Sequence, residues 1–250
     1  MRACTESAEL GLYTGPAYTL SREDSDHPLI LVCEHASRFI PAGLNDLGLS
    51  HEAAREHIAW DIGALALAES LSRALGATLL AANYSRLLVD LNRPRQAPDS
   101  IPAQSEIYQV PGNRDLDEAT REYRRQNLFE PFHSRLKDLI DERVAQGRPV
   151  RVVGIHSFTP VYHGQPRELE VGVLYREARE YAQRLIDGLS QHPLKVAGNE
   201  PYKINPLSDM TVPVHGDARG LESVLIEVRN DLLRTPEDVR RFTEYLAPLL

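Results

Sequence analysis

Short apolar runs and stretches of helical spacing take turns along the chain. The run Leu29-Ile30-Leu31-Val32, opened by Pro28, is continuous rather than alternating. That pattern predicts a strand buried on both faces of a largely parallel sheet. Thr78 to Ala82, Arg86 to Pro94, Val150 to Ile155, Leu169 to Tyr175 and Leu221 to Val228 read as further strands. Between them, Ile62, Leu65, Leu67, Ala68, Leu71 and Leu75 recur at helical spacing behind Asp61, and Gly76 stops the pattern. The stretches 115–146, 177–191 and 236–250 read as helices too, the first broken or kinked near Pro131. Residues 1–27 form a polar lead-in. The turn-rich segments 36–50, 95–114 and 196–221 read as loops, with 95–114 a candidate lid. Strands alternating with helices predict one α/β domain over 1–250, three layers α/β/α around a mixed, largely parallel central sheet.

Composition narrows the partners. A formal net charge of −8 on 250 residues argues against a nucleic-acid binder, which needs a basic surface. No apolar stretch reaches the roughly 20 residues of a membrane span. The first residues lack the charged start and apolar core of a signal peptide. The two cysteines, Cys4 and Cys33, fall in the lead-in and at a strand end, so a disulfide framework is not expected and a cytoplasmic protein is.

The chemistry gathers at strand ends. Cys33-Glu34-His35 follows the first apolar run, His156 follows Val150–Ile155, and Glu227 lies inside Val224-Leu225-Ile226-Glu227-Val228. In open α/β sheets ligands bind at the carboxyl ends of strands. Two imidazoles and a carboxylate suit Zn²⁺ with one position left for water. His35 and His156 supply the imidazoles. The third ligand is Asp61 or Glu34, and strand alternation, which sets Glu34 and His35 on opposite faces, favours Asp61. A helix-capping role is the alternative for Asp61. Glu227 needs a partner or a purpose in so apolar a strand, and it is the candidate general base. Asn92-Arg93, with Arg86, could grip a substrate carboxylate. His215, in a turn-rich stretch, is a candidate to line the site, and His163 a weaker one. Cys33, at a buried strand end, reads as an inert thiol.

Seven pieces in order, Cys33–Ser37, Trp60–Ala64, Ser85-Arg86, Val89–Pro94, Gly154–Phe158, Val171–Tyr175 and Ile226–Asp231, make the chain resemble the N-formylglutamate amidohydrolase family. The resemblance runs from about residue 27 to 248. It implies a phosphorylase/hydrolase-like fold related to zinc carboxypeptidases and aspartoacylase. In those relatives a His-x-x-Glu pair and a later His hold zinc, an Asn-Arg pair holds a carboxylate, and a late strand Glu is the base. Carried over, the later His falls on His156, the pair on Asn92-Arg93 and the base on Glu227. The chain departs at the first pair, because Arg38 stands three residues after His35 and Asp61 looks like the replacement. The implied activity is zinc-dependent hydrolysis of an N-acyl acidic amino acid, with N-formyl-L-glutamate as lead substrate. The same chemistry on another acyl amino acid or small peptide, or a metal-free binding protein, are the alternatives.

Overall fold

The computed structural model describes residues 7–250, so Cys4 lies outside the described residues. Seven strands form one mixed sheet: β1 (Tyr18–Ser21), β2 (Leu29–Cys33), β3 (Thr78–Ala82), β4 (Arg151–Phe158), β5 (Val171–Leu174), β6 (Val196–Gly198) and β7 (Glu222–Arg229). Their order is β1-β3-β2-β4-β7-β5-β6. β3, β2, β4 and β7 run parallel, β1 closes one edge antiparallel to β3, and β5 and β6 run antiparallel to β7.

Alternation sorts each strand's side chains between two cores. Leu29, Leu31 and Cys33 of β2 pack with Val153, Ile155, Val224 and Ile226 under α1 (Ala64–Leu75), α4 (Arg179–Leu189) and α5 (Pro236–Leu246). Ile30 and Val32 point the other way, with Val152 and Leu80, against Phe132, Leu136 and Ile140 of α3 (Glu130–Ala145). Two buried faces require the continuous apolar runs seen in the sequence, and the result is the expected three layers. A leucine-to-alanine change in either core would cost about 2–5 kcal/mol.

Local details differ from expectation for physical reasons. Arg86 to Pro94 is a chain of turns and not a strand. Leu88 N–H donates to Ser85 O, Arg93 N–H to Asp90 O, and Asp90 N–H to Ser100 O. Its leucines and Val89 are apolar because the loop packs into the core beneath α3. The polar lead-in contributes β1, an edge strand whose half-exposed residues carry too little apolar signal. The first helix begins at Ala64, since Gly63 holds φ +84° and a Cβ there would sit 2.5 Å from Leu233 Cβ. The long helix is interrupted just before Pro131, where residues 125–129 widen to a π turn between α2 (Glu118–Arg124) and α3. Two small antiparallel ribbons, Gln104–Ser105 with Tyr108–Gln109 and Val161–Tyr162 with Gln165–Pro166, stand apart from the sheet. Among the described residues no helix is long and apolar enough to cross a membrane.

Candidate active site

The carboxyl ends of the central parallel strands carry the buried polar residues. Register places His156 of β4 directly beside Glu227 of β7. Both belong to the face away from α1, because Ile155 and Ile226 point toward it. On the other side of Glu227 its register partner is Gly172 of β5. β2 ends at Cys33, and its alternation carries Glu34 to the same face as His156. The backbone then turns, and His35 swings toward the same site. Asp61, just before α1, is tied to that turn by its N–H donating to His35 O at 2.9 Å.

His35, Asp61 and His156 converge. One donor atom from each lies within 4.8 Å of the others, and all three residues are buried. Asp61 Oδ2 sits 2.8 Å from His156 Nδ1 and 3.3 Å from His35 Nδ1. The opposite ring nitrogens are held by two further carboxylates. His35 Nε2 meets Asp90 Oδ1 at 2.7 Å, and His156 Nε2 meets Glu34 Oε2 at 3.0 Å. Asp90 is gripped in turn by Arg86, through Nε at 3.0 Å and Nη2 at 2.6 Å, and Thr211 Oγ1 donates to Glu34. With Nε2–H donated backward, each Nδ1 faces the convergence point.

The charges follow from this packing. Burial would lower His156, but Glu34 and Asp61 more than offset it and hold it well above the usual imidazole range. Burial would raise Glu34, and His156 and Thr211 bring it down to about 2. Asp61 and Asp90 are likewise held low against burial, Asp61 by His35 and His156, Asp90 by Arg86 and His35. Glu227 moves the other way. Burial pushes it up to about 7, opposed by His156 and reinforced by Asp61. Its Oε2 is buried without a hydrogen-bond partner among the described residues.

His35, Asp61, Arg86, Asp90, His156 and Glu227 line a cavity of about 440 Å³. Its walls also carry Asn92, Arg93, Tyr202, Lys203, Asp209 and Leu225. At the mouth, Glu106 of one ribbon accepts from His57 Nε2 at 2.7 Å and from the N–H of His163, in the other ribbon's turn, at 2.7 Å.

Of the residues singled out by sequence, His35, Asp61 and His156 come together at one point, and Glu227 stands beside His156 in the same cavity. Glu34 lies on the rear nitrogen of His156, outside the converging set. Arg86 reaches the cavity but is spent on Asp90, with a longer contact to Asp61 at 3.4 Å. Arg93 pairs with Asp99 and Asp209, leaving Nη2 without a partner among the described residues, and Asn92 Oδ1 accepts from the N–H groups of Met210 and Thr211. His215 does not line the cavity. It is buried in a stacked pair with His133, His133 Nδ1 to His215 Nε2 at 3.0 Å, while His133 Nε2–H donates to Leu91 O. Asp90 and Lys203 were not anticipated. Asp90 carried the same signal as Glu227, an acid inside an apolar run. Lys203 sits in a turn-rich stretch and carried none.

Sheet and site have the form of a hydrolytic centre, and comparison with known proteins places the chain among the amidohydrolases. Residues 27–234 match the sequence model of N-formylglutamate amidohydrolase, and the chain belongs to that family. A solved structure of gene product Atu2144 from Agrobacterium tumefaciens is 43% identical, with a TM-score of 0.91 over 94% of this chain and 93% of that one. N-formylglutamate amidohydrolase from Ralstonia eutropha JMP134 is 20% identical, with a TM-score of 0.67 over 94% and 96%, a likeness of fold. No curated protein matches the chain.

Proposed function

We propose that the protein is a zinc-dependent amidohydrolase that cleaves N-formyl-L-glutamate to L-glutamate and formate. The observation that carries this reading is the convergence of His35 Nδ1, His156 Nδ1 and Asp61 Oδ2, with Glu227, whose Oε2 is buried without a partner among the described residues, standing next to His156 on the neighbouring strand. The donor set fits zinc: two imidazole nitrogens and a carboxylate oxygen, with the rear nitrogens fixed by Asp90 and Glu34. It also explains why so many carboxylates are buried together, since a cation there would replace protons on Nδ1. When bound, zinc supplies polarisation of the acyl carbonyl and an acidified water.

The chain's own residues do the rest. Glu227 accepts the proton of the water whose oxygen attacks the formyl carbon, and returns it to the amide nitrogen as the C–N bond breaks. Its raised proton affinity suits both halves of that transfer. Asn92 and Arg93 hold the carboxylate nearest the scissile amide, and Arg86 keeps Asp90 and hence His35 in place. Elemental analysis of purified protein, paired with a formate-release assay, tests the proposal. The expected result is about one zinc per chain, depleted in His35→Ala and His156→Ala together with activity. Metal retained at the parent level in both variants would overturn it.

A further inference from the structure

Among the described residues, six carboxylates and only three lysine or arginine side chains line the cavity. Arg86 faces Asp90 and Asp61, and Arg93 faces Asp99 and Asp209. Each arginine therefore sits among more negative charge than it carries. Lys203 is the third cation, and it has no acidic partner among the described residues. A dianionic substrate entering this cavity needs positive charge that is not already neutralised, and Lys203 supplies it.

The fold holds Lys203 there. Gly172, register partner of Glu227, leaves the sheet surface bare beside the base. The backbone of Glu200 fills the gap, with its carbonyl oxygen 2.0 Å from where a Cβ on Gly172 would lie. Ile204 packs against Leu174, Leu225 and Val212, anchoring the segment from its other end. Lys203, between these two anchors, is exposed at the cavity wall, whereas the side chain of Arg93 is only 25% exposed. In an N-acyl glutamate one carboxylate adjoins the scissile amide, and the other lies beyond two methylenes. The deeper arginine suits the near carboxylate and the rim lysine the distal one.

We propose, resting on the amidohydrolase reading above, that Lys203 is the specificity residue that pairs with the side-chain carboxylate of the substrate. Lys203→Met keeps the stem and removes the charge. On the zinc-loaded full chain, KM for N-formylglutamate should rise about tenfold, the scale of one charge-assisted hydrogen bond, with kcat within about threefold. KM for N-formylglutamine should not move, so the variant loses the parent's preference, and Lys203→Arg should restore it. Calorimetry with glutamate and glutamine gives a readout that needs no turnover. If the parent hydrolyses neither compound, the function proposed above fails, yet tighter binding of glutamate than glutamine, lost in Lys203→Met, still supports the role of Lys203. A Lys203→Met protein that discriminates between the two amino acids as the parent does would overturn it. So would a fall in kcat on both substrates that Lys203→Arg fails to rescue, the mark of a merely structural residue.

Discussion

At the scale of the residue, the site separates groups that touch the convergence point from groups that act through them. Asp61 offers an oxygen to both Nδ1 atoms, whereas Glu34 reaches only the back of His156. Asp61→Ala should therefore abolish zinc retention, and Glu34→Ala should weaken affinity by about 10–100-fold, the usual cost of losing a partner behind a ligand. Competition against a chromogenic chelator ranks the two, and the reverse order would reject the assignment. Glu227→Gln keeps shape and metal but removes the proton acceptor. Its kcat should fall by about 10²–10⁴ with KM little changed. Arg93→Lys loses the planar fork, so it should raise KM for N-formylglutamate and N-formylglutamine alike, because both retain the carboxylate next to the amide. Steady-state kinetics on both compounds measures these changes. The two converging histidines were legible in the sequence because each ends an apolar run, and Glu227 because it interrupts one. Glu34 stayed open beside Asp61, since sequence shows that a backbone turns after Cys33 only once the turn itself is seen.

At the scale of the element, two features carry consequences. Gly172 is a gap in β5 that admits the backbone of Glu200. Gly172→Ala should lift the 200–204 segment and raise KM for the acidic substrate more than it lowers the melting temperature, as kinetics and a thermal melt would show. The second feature is the His133–His215 pair joining α3 to the turn after β6. Burial pushes His133 down to about 4 and His215 down to about 3, the latter helped by His133 and Arg219. Unfolded, each takes up a proton near pH 6.5. Between about pH 6.5 and 4 the unfolded chain thus binds more protons, and stability falls as pH falls; above pH 6.5 the contribution is present in full. His215→Leu removes one of these groups. Urea midpoints at pH 4.5 and 7 should drop less on acidification in the variant than in the parent. The sequence offered His215 as a cavity residue because a histidine among turn residues reads as exposed. Tertiary packing against α3 decides otherwise, and no local pattern reports that. The same limit applies to Arg86–Pro94, where burial of a loop imitates a strand.

At the scale of the whole molecule, the sheet and its two cores were legible because continuous apolar runs need two covered faces. The cavity mouth was not, since the ribbons of residues 104–109 and 161–166 meet through long-range polar contacts such as those of Glu106 with His57 and His163, which no local pattern reports. A buried cluster of carboxylates balanced by protons and one arginine is also a reservoir of binding energy for a cation. An ion that binds only the folded chain adds about 2.7 kcal/mol at a hundredfold excess over its dissociation constant. Chelator-treated protein should therefore melt about 5–10 °C below the zinc-loaded form, a shift His156→Ala should largely erase. Differential scanning calorimetry of both forms is the check.

His156 and Glu227 stand side by side on neighbouring strands of one hydrogen-bonded ladder. Their separation is set by the inter-strand repeat of about 4.8 Å, and no loop takes part in fixing it. Lys203, Arg93 and Glu106, by contrast, all lie on connections outside the sheet. If the proposed roles hold, reaction chemistry and substrate choice are written in separate parts of the chain. Insertions and exchanges in the rim segments should then retune which substrate is accepted while His156 and Glu227 keep their spacing. A laboratory search for new substrates should accordingly randomise residues 200–209 and 99–106 and leave β4 and β7 untouched.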